Sequence, residues 1–184
     1  MADINVTSVR DRSTETHPGP ATPSAEPIWD VIELLFFAYR DFVSDPDDVL
    51  AKFGFGRAHH RVLHFVNRQP GLTIAELLDI LRITKQSLSR VLKELLDEGY
   101  VEQRAGLSDR RQRLLFPTDK GRRLALELAG LQSERFQRAL GDLPAAARGA
   151  AIEFLLAMID PGERDKVRGI VWKKPELARA RPRP

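Results

Sequence analysis

The 184-residue chain has no cysteine, so disulfides, thiolate metal sites and thiol redox switches are all excluded. Aromatic residues are scarce, at 7%. The apolar positions fall mainly to Leu, Ala, Val and Ile, a mixture that leans helical. No apolar run approaches the roughly 18 residues that span a bilayer. The N-terminus is polar and carries acidic residues, unlike a secretory signal. A cytoplasmic protein without a membrane partner is expected. The chain also lacks a phosphate-binding glycine loop, a nucleophile elbow and a His-rich metalloenzyme motif. Ser87 and His60, the nearest thing to a nucleophile and base, fall on separate helices with no reason to meet. No catalytic residue and no cofactor is therefore expected.

Hydrophobic residues at 42% and charged residues at 30% suit one ordinary globular domain with a real core. The net charge of +3 is small, but it is unevenly spread. Residues 1–56 carry 4 basic and 10 acidic groups, a net of −6. Residues 57–123 carry 14 basic and 8 acidic groups, a net of +6, and the last stretch, 163–184, is basic again. A basic middle is what an anion-binding module needs.

Residues 1–26 are rich in Ser, Thr, Pro and Asp without an apolar period and read as a disordered arm. From Ile28 to Phe42 the chain is apolar on nearly every side, and a helix of that kind must be buried all round. In so small a chain this implies burial against a second subunit. Asp45-Pro46-Asp47-Asp48 is expected to break that helix. A second helix runs over Arg57–Arg68. Thr73 and Glu76 form a capping box for a short third helix, and Thr84 caps a fourth, which Gly99 closes. Two short strands are expected at Tyr100–Arg104 and Gln112–Phe116, joined by a polar loop. Helices follow at about 119–140 and 145–159, and residues 161–184 read as a basic, flexible tail. The fold class is mainly α with a small β element: a winged helix-turn-helix over 27–160. Its DNA-binding core covers about 57–118, and its dimerisation helices about 28–43 and 119–160.

The fourth helix divides into two faces. Leu88, Val91, Leu92 and Leu95 follow the helical period and dock it. Thr84, Lys85, Gln86, Ser87, Ser89, Arg90 and Lys93 point outward. Gln pairs with adenine and Arg with guanine in the major groove, and the serines donate to phosphates. An ordinary amphipathic surface helix has the same pattern. The capped helix before it and the hairpin after it favour the reading helix. The loop Arg104–Arg113 holds Arg104, Arg110, Arg111, Arg113 and Asp109. Arginine at a hairpin tip suits a narrow A·T minor groove, where the negative potential is deepest.

Thr84 to Val101, followed by Ser108-Asp109-Arg110-Arg111-Gln112-Arg113 and Pro117-Thr118-Asp119-Lys120-Gly121, resembles the MarR family of bacterial regulators. That family's wing carries Asp-x-Arg and then Leu-Thr-x-x-Gly, with Pro117 here in place of the Leu. The resemblance covers about residues 28–160. It implies a pyramid-shaped homodimer held by the first and last two helices, and effector-controlled repression or activation at palindromic operators in double-stranded DNA. It also implies that Arg111 enters the minor groove with Asp109 as its buttress. The Asp45–Asp48 and Phe53–His60 segments are similar to a sub-group of the family called PetP-like.

His59, His60 and His64 share the second helix, and His60 and His64 stand four residues apart on one face, as two ligands of one metal ion would. They suit packing against the first helix equally well. Trp29, Phe36, Tyr39, Phe53 and Phe65, with His60 and His64, are the candidates for a pocket holding a small-molecule effector; plain core is the competing reading. A winged helix used only as a protein-interaction adaptor is the alternative to DNA binding. It would show exposed Leu or aromatic residues on the outward face of the fourth helix.

Overall fold

A computed structural model describes residues 26–106 and 111–173. The arm expected over 1–26 lies outside the described residues except for Glu26. Asp109, Arg110 and residues 174–184 of the basic tail lie outside them as well.

Helix α1 covers Trp29–Ala51 and contains Pro46. The expected break at 45–48 does not occur. Proline removes one helical N–H and crowds the preceding turn, at about 3 kcal/mol. Tertiary contacts offset that cost: the Pro46 ring is buried, and the carboxylates beside it are claimed by neighbouring helices. Asp45 pairs with Arg135 and Asp47 with Arg57, each at 2.8 Å.

Helix α2 covers Arg57–Arg68, and its Gly56 N–H donates to Nδ1 of His59 at 3.1 Å. A two-residue strand, β1 at Leu72–Thr73, precedes α3 at Ile74–Leu81. The capping box forms as expected, with Glu76 N–H on Thr73 Oγ1 at 3.2 Å and Thr73 N–H on the Glu76 carboxylate at 2.8 Å. The turn out of α3 is made by Arg82 at φ 50°, the left-handed region that a side chain disfavours. Helix α4, Lys85–Asp97, is capped by Thr84, whose Oγ1 accepts from Ser87 N–H at 3.1 Å. Gly99 at φ 69° ends α4, with its N–H on Leu96 O and the Tyr100 N–H on Leu95 O. That pair of bonds is a Schellman closure.

Strands β2, Val101–Ala105, and β3, Arg113–Pro117, start one residue later than expected. The helix closure explains the shift, because the Tyr100 N–H is already committed to α4. The sheet is antiparallel in the order β1-β3-β2, with Leu72 opposite Leu115 and Gln103 opposite Leu115 on the other side. Strand β1 was absent from the sequence reading; two residues give no period to detect.

Helix α5, Asp119–Gly141, is capped by Thr118 and buries only its first half, through Gly121, Leu124, Ala125 and Leu128. Helix α6 covers Ala147–Ala157. Beyond it, a 3-10 turn at Pro161–Glu163 leads into α7, Arg164–Val171. Residues 161–171, read from sequence as the start of a flexible tail, are thus helical. The core sits among α2, α3, α4, the sheet and the start of α5, around Leu63, Leu77, Leu88, Leu95, Leu115 and Leu128. No helix among the described residues is long and apolar enough to cross a membrane.

Candidate nucleic-acid interface

Leu88, Val91, Leu92 and Leu95 of α4 are each at most 4% exposed. Thr84, Lys85, Gln86, Ser87, Ser89, Arg90 and Lys93 are all exposed. The short turn before α4 and the deep seating of its apolar side hold this polar row outward as one surface. Thr84 Oγ1 donates to Ser87 Oγ at 2.9 Å, which leaves the Ser87 hydrogen available to an external acceptor. Lys93 pairs with Asp97 one turn on, and that hydrogen bond raises its pKa. The ammonium is thus held cationic.

The C-terminal end of α4 is clamped by the first turn of α5. Thr118 Oγ1 donates to Gly99 O at 2.7 Å, and Lys120 Nζ donates to Glu98 O at 2.8 Å while lying 4.0 Å over the Tyr100 ring. Two donors, one of them cationic, thus meet helix-end carbonyls, where the helix dipole is negative. Gly121 permits this approach: a Cβ there would lie 1.9 Å from Tyr100 O. A second tie joins α4 to α2. His59 Nε2 is 2.6 Å from Glu94 Oε2, and the His59 ring stacks on Phe55 with centroids 4.6 Å apart. Because His59 Nδ1 accepts from Gly56 N–H, the neutral ring carries its proton on Nε2 and donates to Glu94. Sequence reasoning missed both ties. The Thr-x-x-Gly spacing pointed to the first, while the second joins residues 35 apart with no local signal.

In the wing, Arg111 and Arg113 are exposed. Arg104 pairs with Glu102 and lies 4.4 Å over the Phe116 ring, which stiffens the base of the hairpin. Asp109 and Arg110 lie outside the described residues.

Of the seven residues expected in an effector pocket, the structure brings four together. Tyr39, His60, His64 and Phe65 line a cleft of about 270 Å³ with Phe42, Arg57, Arg61 and Gln132. Trp29 and Phe36 do not join it. Both are more than half exposed, and they lie N-terminal to Tyr39 on α1, up to about 15 Å along the helix at 1.5 Å per residue. Phe53 sits elsewhere, edge-on to Tyr100 at 6.1 Å. Burial lowers the pKa of His60 and His64, with His60 and Arg68 lowering His64 further and Asp47 opposing the shift at His60. Both rings are thus held neutral. Among the described residues no group of three or more His, Cys, Asp or Glu converges as a metal site.

Residues 53–112 match the model of the MarR family. The HTH-type transcriptional regulator PetP of Rhodobacter capsulatus is 47% identical over 133 residues, covering 72% of this chain and 80% of that protein. The fold is also similar to that of Streptococcus pneumoniae FabT in complex with DNA, at TM-score 0.63 and 16% identity over 71% of this chain and 93% of that one. Bordetella bronchiseptica BpsR, whose DNA binding is regulated by 6-hydroxynicotinic acid, is similar at TM-score 0.55 and 24% identity over 71% and 99%.

Proposed function

The chain belongs to the MarR family of DNA-binding transcriptional regulators, and from that premise we propose that it acts as a homodimer on palindromic operators under the control of a small effector. It is a regulator and not an enzyme. The observation that carries the proposal is the division of α4 into a buried apolar side, Leu88, Val91, Leu92 and Leu95, and an exposed polar side that begins at Thr84 and ends at Lys93. In this reading Gln86, Ser87, Ser89 and Arg90 meet base edges and phosphates in the major groove. Lys85 and Lys93 meet phosphates, and Arg111, Arg113, Arg110 and Asp109 form the minor-groove wing. An adaptor that binds only protein is disfavoured, since that outward row contains no Leu or aromatic residue.

The dimer is supported by α1, whose Trp29, Leu34, Phe36, Phe37 and Tyr39, with Ile28 just before it, are all more than half exposed in a single chain. In the proposed assembly a second copy covers α1 together with α5 and α6, as the domain division read from sequence implies. Two α4 helices then lie about 34 Å apart, one duplex turn. The effector site is the cleft of Tyr39, His60, His64 and Phe65, between the dimer base and the reading lobe. Its neutral histidines and flanking arginines suit an aromatic acid. A ligand there biases the spacing of the two α4 helices. The expected location is the cytoplasm.

Sedimentation at micromolar concentration tests the dimer: two-chain mass is expected, and a monomer overturns it. Arg90→Ala is expected to relax base preference at one position of each half-site, and Arg111→Ala to reduce preference for A·T-rich flanks. Each should cost about 1–3 kcal/mol of binding. Unchanged binding of a selected operator by both folded variants overturns the assignment of the reading surface.

A further inference from the structure

Among the described residues Arg82 alone has a positive φ without being glycine, at φ 50° and ψ 46°. A bulky side chain disfavours that region, whereas glycine or asparagine adopts it readily. Arg82 also sits at a sensitive place. Its N–H donates to Leu78 O at 2.9 Å and closes α3. Only Ile83 separates it from Thr84, the cap of α4. A shift of its backbone therefore falls on the first turn of α4, where a reading helix touches base edges. Hydrogen bonds there tolerate only a few tenths of an ångström.

Side chains of alternating charge join this turn to the segment after α6. Arg82 pairs with Glu163 at 2.9 Å. Lys166 lies 3.6 Å from Glu163 and pairs with Asp79 of α3 at 2.6 Å. Arg164 braces the corner behind them, donating to Ala157 O at 2.7 Å and to Ile159 O at 2.9 Å at the end of α6. At the far end of α7 an Arg68 guanidinium N–H of α2 donates to Val171 O at 3.2 Å. Between these ties Val167, Ile170 and Val171 face Phe65 and Ile80 across a cleft of about 250 Å³. Helix α7 is thus a strut laid against α2 and α3. The side chains of Arg82 and Glu163 are 62% and 33% exposed, so their pair adds little to global stability. Its effect is local, on one strained residue at the entry to α4.

We propose that Arg82 is a positioning residue for DNA binding: held by Glu163 and the α7 strut, it fixes the turn that presents the first residues of α4 to the major groove. This rests on the reading of α4 as the helix that meets DNA. It adds a requirement that the winged helix alone does not impose. The segment after α6 must be docked on α2 and α3 for α4 to bind at full affinity.

The test uses a duplex that the full chain selects from a random pool. Binding is followed by fluorescence anisotropy across a salt series, and folding by thermal melting. Glu163→Ala is the decisive variant. Removing an acid near the reading surface strengthens binding if only long-range charge matters. The strut predicts the reverse, binding about threefold weaker, the scale of one partly exposed pair. Arg82→Asn suits the left-handed backbone but loses the pair. It should bind about threefold more weakly with a melting midpoint no lower than the parent's, and Arg82→Lys should recover the affinity. Arg82→Asn/Glu163→Ala should bind no more weakly than either single variant, because both remove the same pair. Val167→Ser/Ile170→Ser loosens α7 without changing charge and should weaken binding at least as much. Every variant should keep the parent's slope of log affinity against log salt, since no phosphate contact is lost. Parent-like or tighter binding by Glu163→Ala overturns the proposal. So does a slope shallower by about one for Arg82→Asn, which would make Arg82 a direct phosphate contact. A full chain that selects no duplex overturns the reading of α4 as well. If Arg90→Ala loses affinity while Glu163→Ala does not, the strut alone is overturned.

Discussion

The reading lobe and the base of this chain send their large apolar residues to opposite fates. In the reading lobe Leu63, Leu77, Leu88, Leu95 and Leu115 are at most 1% exposed. In the base, Leu34, Phe36, Phe136 and Phe154 are each at least half exposed. The lobe closes its core within one chain, through three helices and a sheet that cross one another. The base consists of α1, the second half of α5 and α6, long elements that present more apolar surface than one chain can cover. In the proposed dimer a second copy covers these residues. Folding stability should therefore be unimolecular in one half and linked to concentration in the other.

The largest expected effect tests that contrast. Leu95→Ala removes a side chain with no exposure from the middle of α4 and should destabilise the protein by about 2–5 kcal/mol, to the same extent at every protein concentration. Phe36→Ser changes a residue that is 69% exposed in the single chain. It should leave the melting midpoint of dilute protein nearly unchanged while removing its rise with concentration. Calorimetry over a dilution series distinguishes the two, and a concentration-independent response of both variants breaks the contrast.

The joint between the halves comes next. Gly121→Ala places a Cβ 1.9 Å from Tyr100 O, against backbone that cannot yield cheaply. It should cost about 1–3 kcal/mol, as overpacking does, and misplace α5 relative to α4. Gly130 lies on the same helix with nothing within 4 Å of its would-be Cβ. Gly130→Ala should stabilise by about 0.5–1 kcal/mol through helix propensity. Urea midpoints of opposite sign support the joint, whereas equal responses remove it.

How far the sequence spoke depends on how local each cause is. Thr73 with Glu76, Thr84 with Ser87, and Gly99 act within four residues, and α3 and α4 were legible from them. The apolar side of α4 was legible from its period. Pro46 misled because its neighbours' partners, Arg135 and Arg57, come from other helices. Helix α7 was missed because its anchors Asp79, Arg82 and Arg68 precede it by some 80 residues or more. The cleft between α1 and α2 was legible in part. Tyr39 meets α2 because it lies where the two helices pack, while Phe36 three residues earlier lies beyond that contact. The tie of His59 to Glu94 had no signature at all.

A smaller effect should follow from loosening the clamp on α4. Thr118→Ala removes both the α5 cap and the donor to Gly99 O and should cost about 1 kcal/mol. Lys120→Met keeps the stem over Tyr100 but loses the donor to Glu98 O, whereas Lys120→Arg restores it. Operator affinity should fall in the first two variants and recover in the third. Failure of Arg to rescue would show that the Lys120 contact contributes nothing beyond packing.

The smallest expected effect is a pH dependence confined to the cleft. Burial lowers the pKa of His60 and His64 below the ordinary 6.5, with Asp47 opposing at His60, and with His60 and Arg68 reinforcing at His64. The unfolded chain therefore takes up protons at these positions before the folded one does. Between the folded and unfolded pKa values the unfolded state binds more protons, so stability rises with pH through that window. The contribution is complete above the unfolded value of about 6.5 and is progressively lost as pH falls below it. Urea midpoints measured from about pH 5 to pH 8 should show that rise, and His60→Gln/His64→Gln should flatten it. If the double variant keeps the full slope, the pH response belongs to other groups, and the neutral histidines are not what distinguishes the cleft.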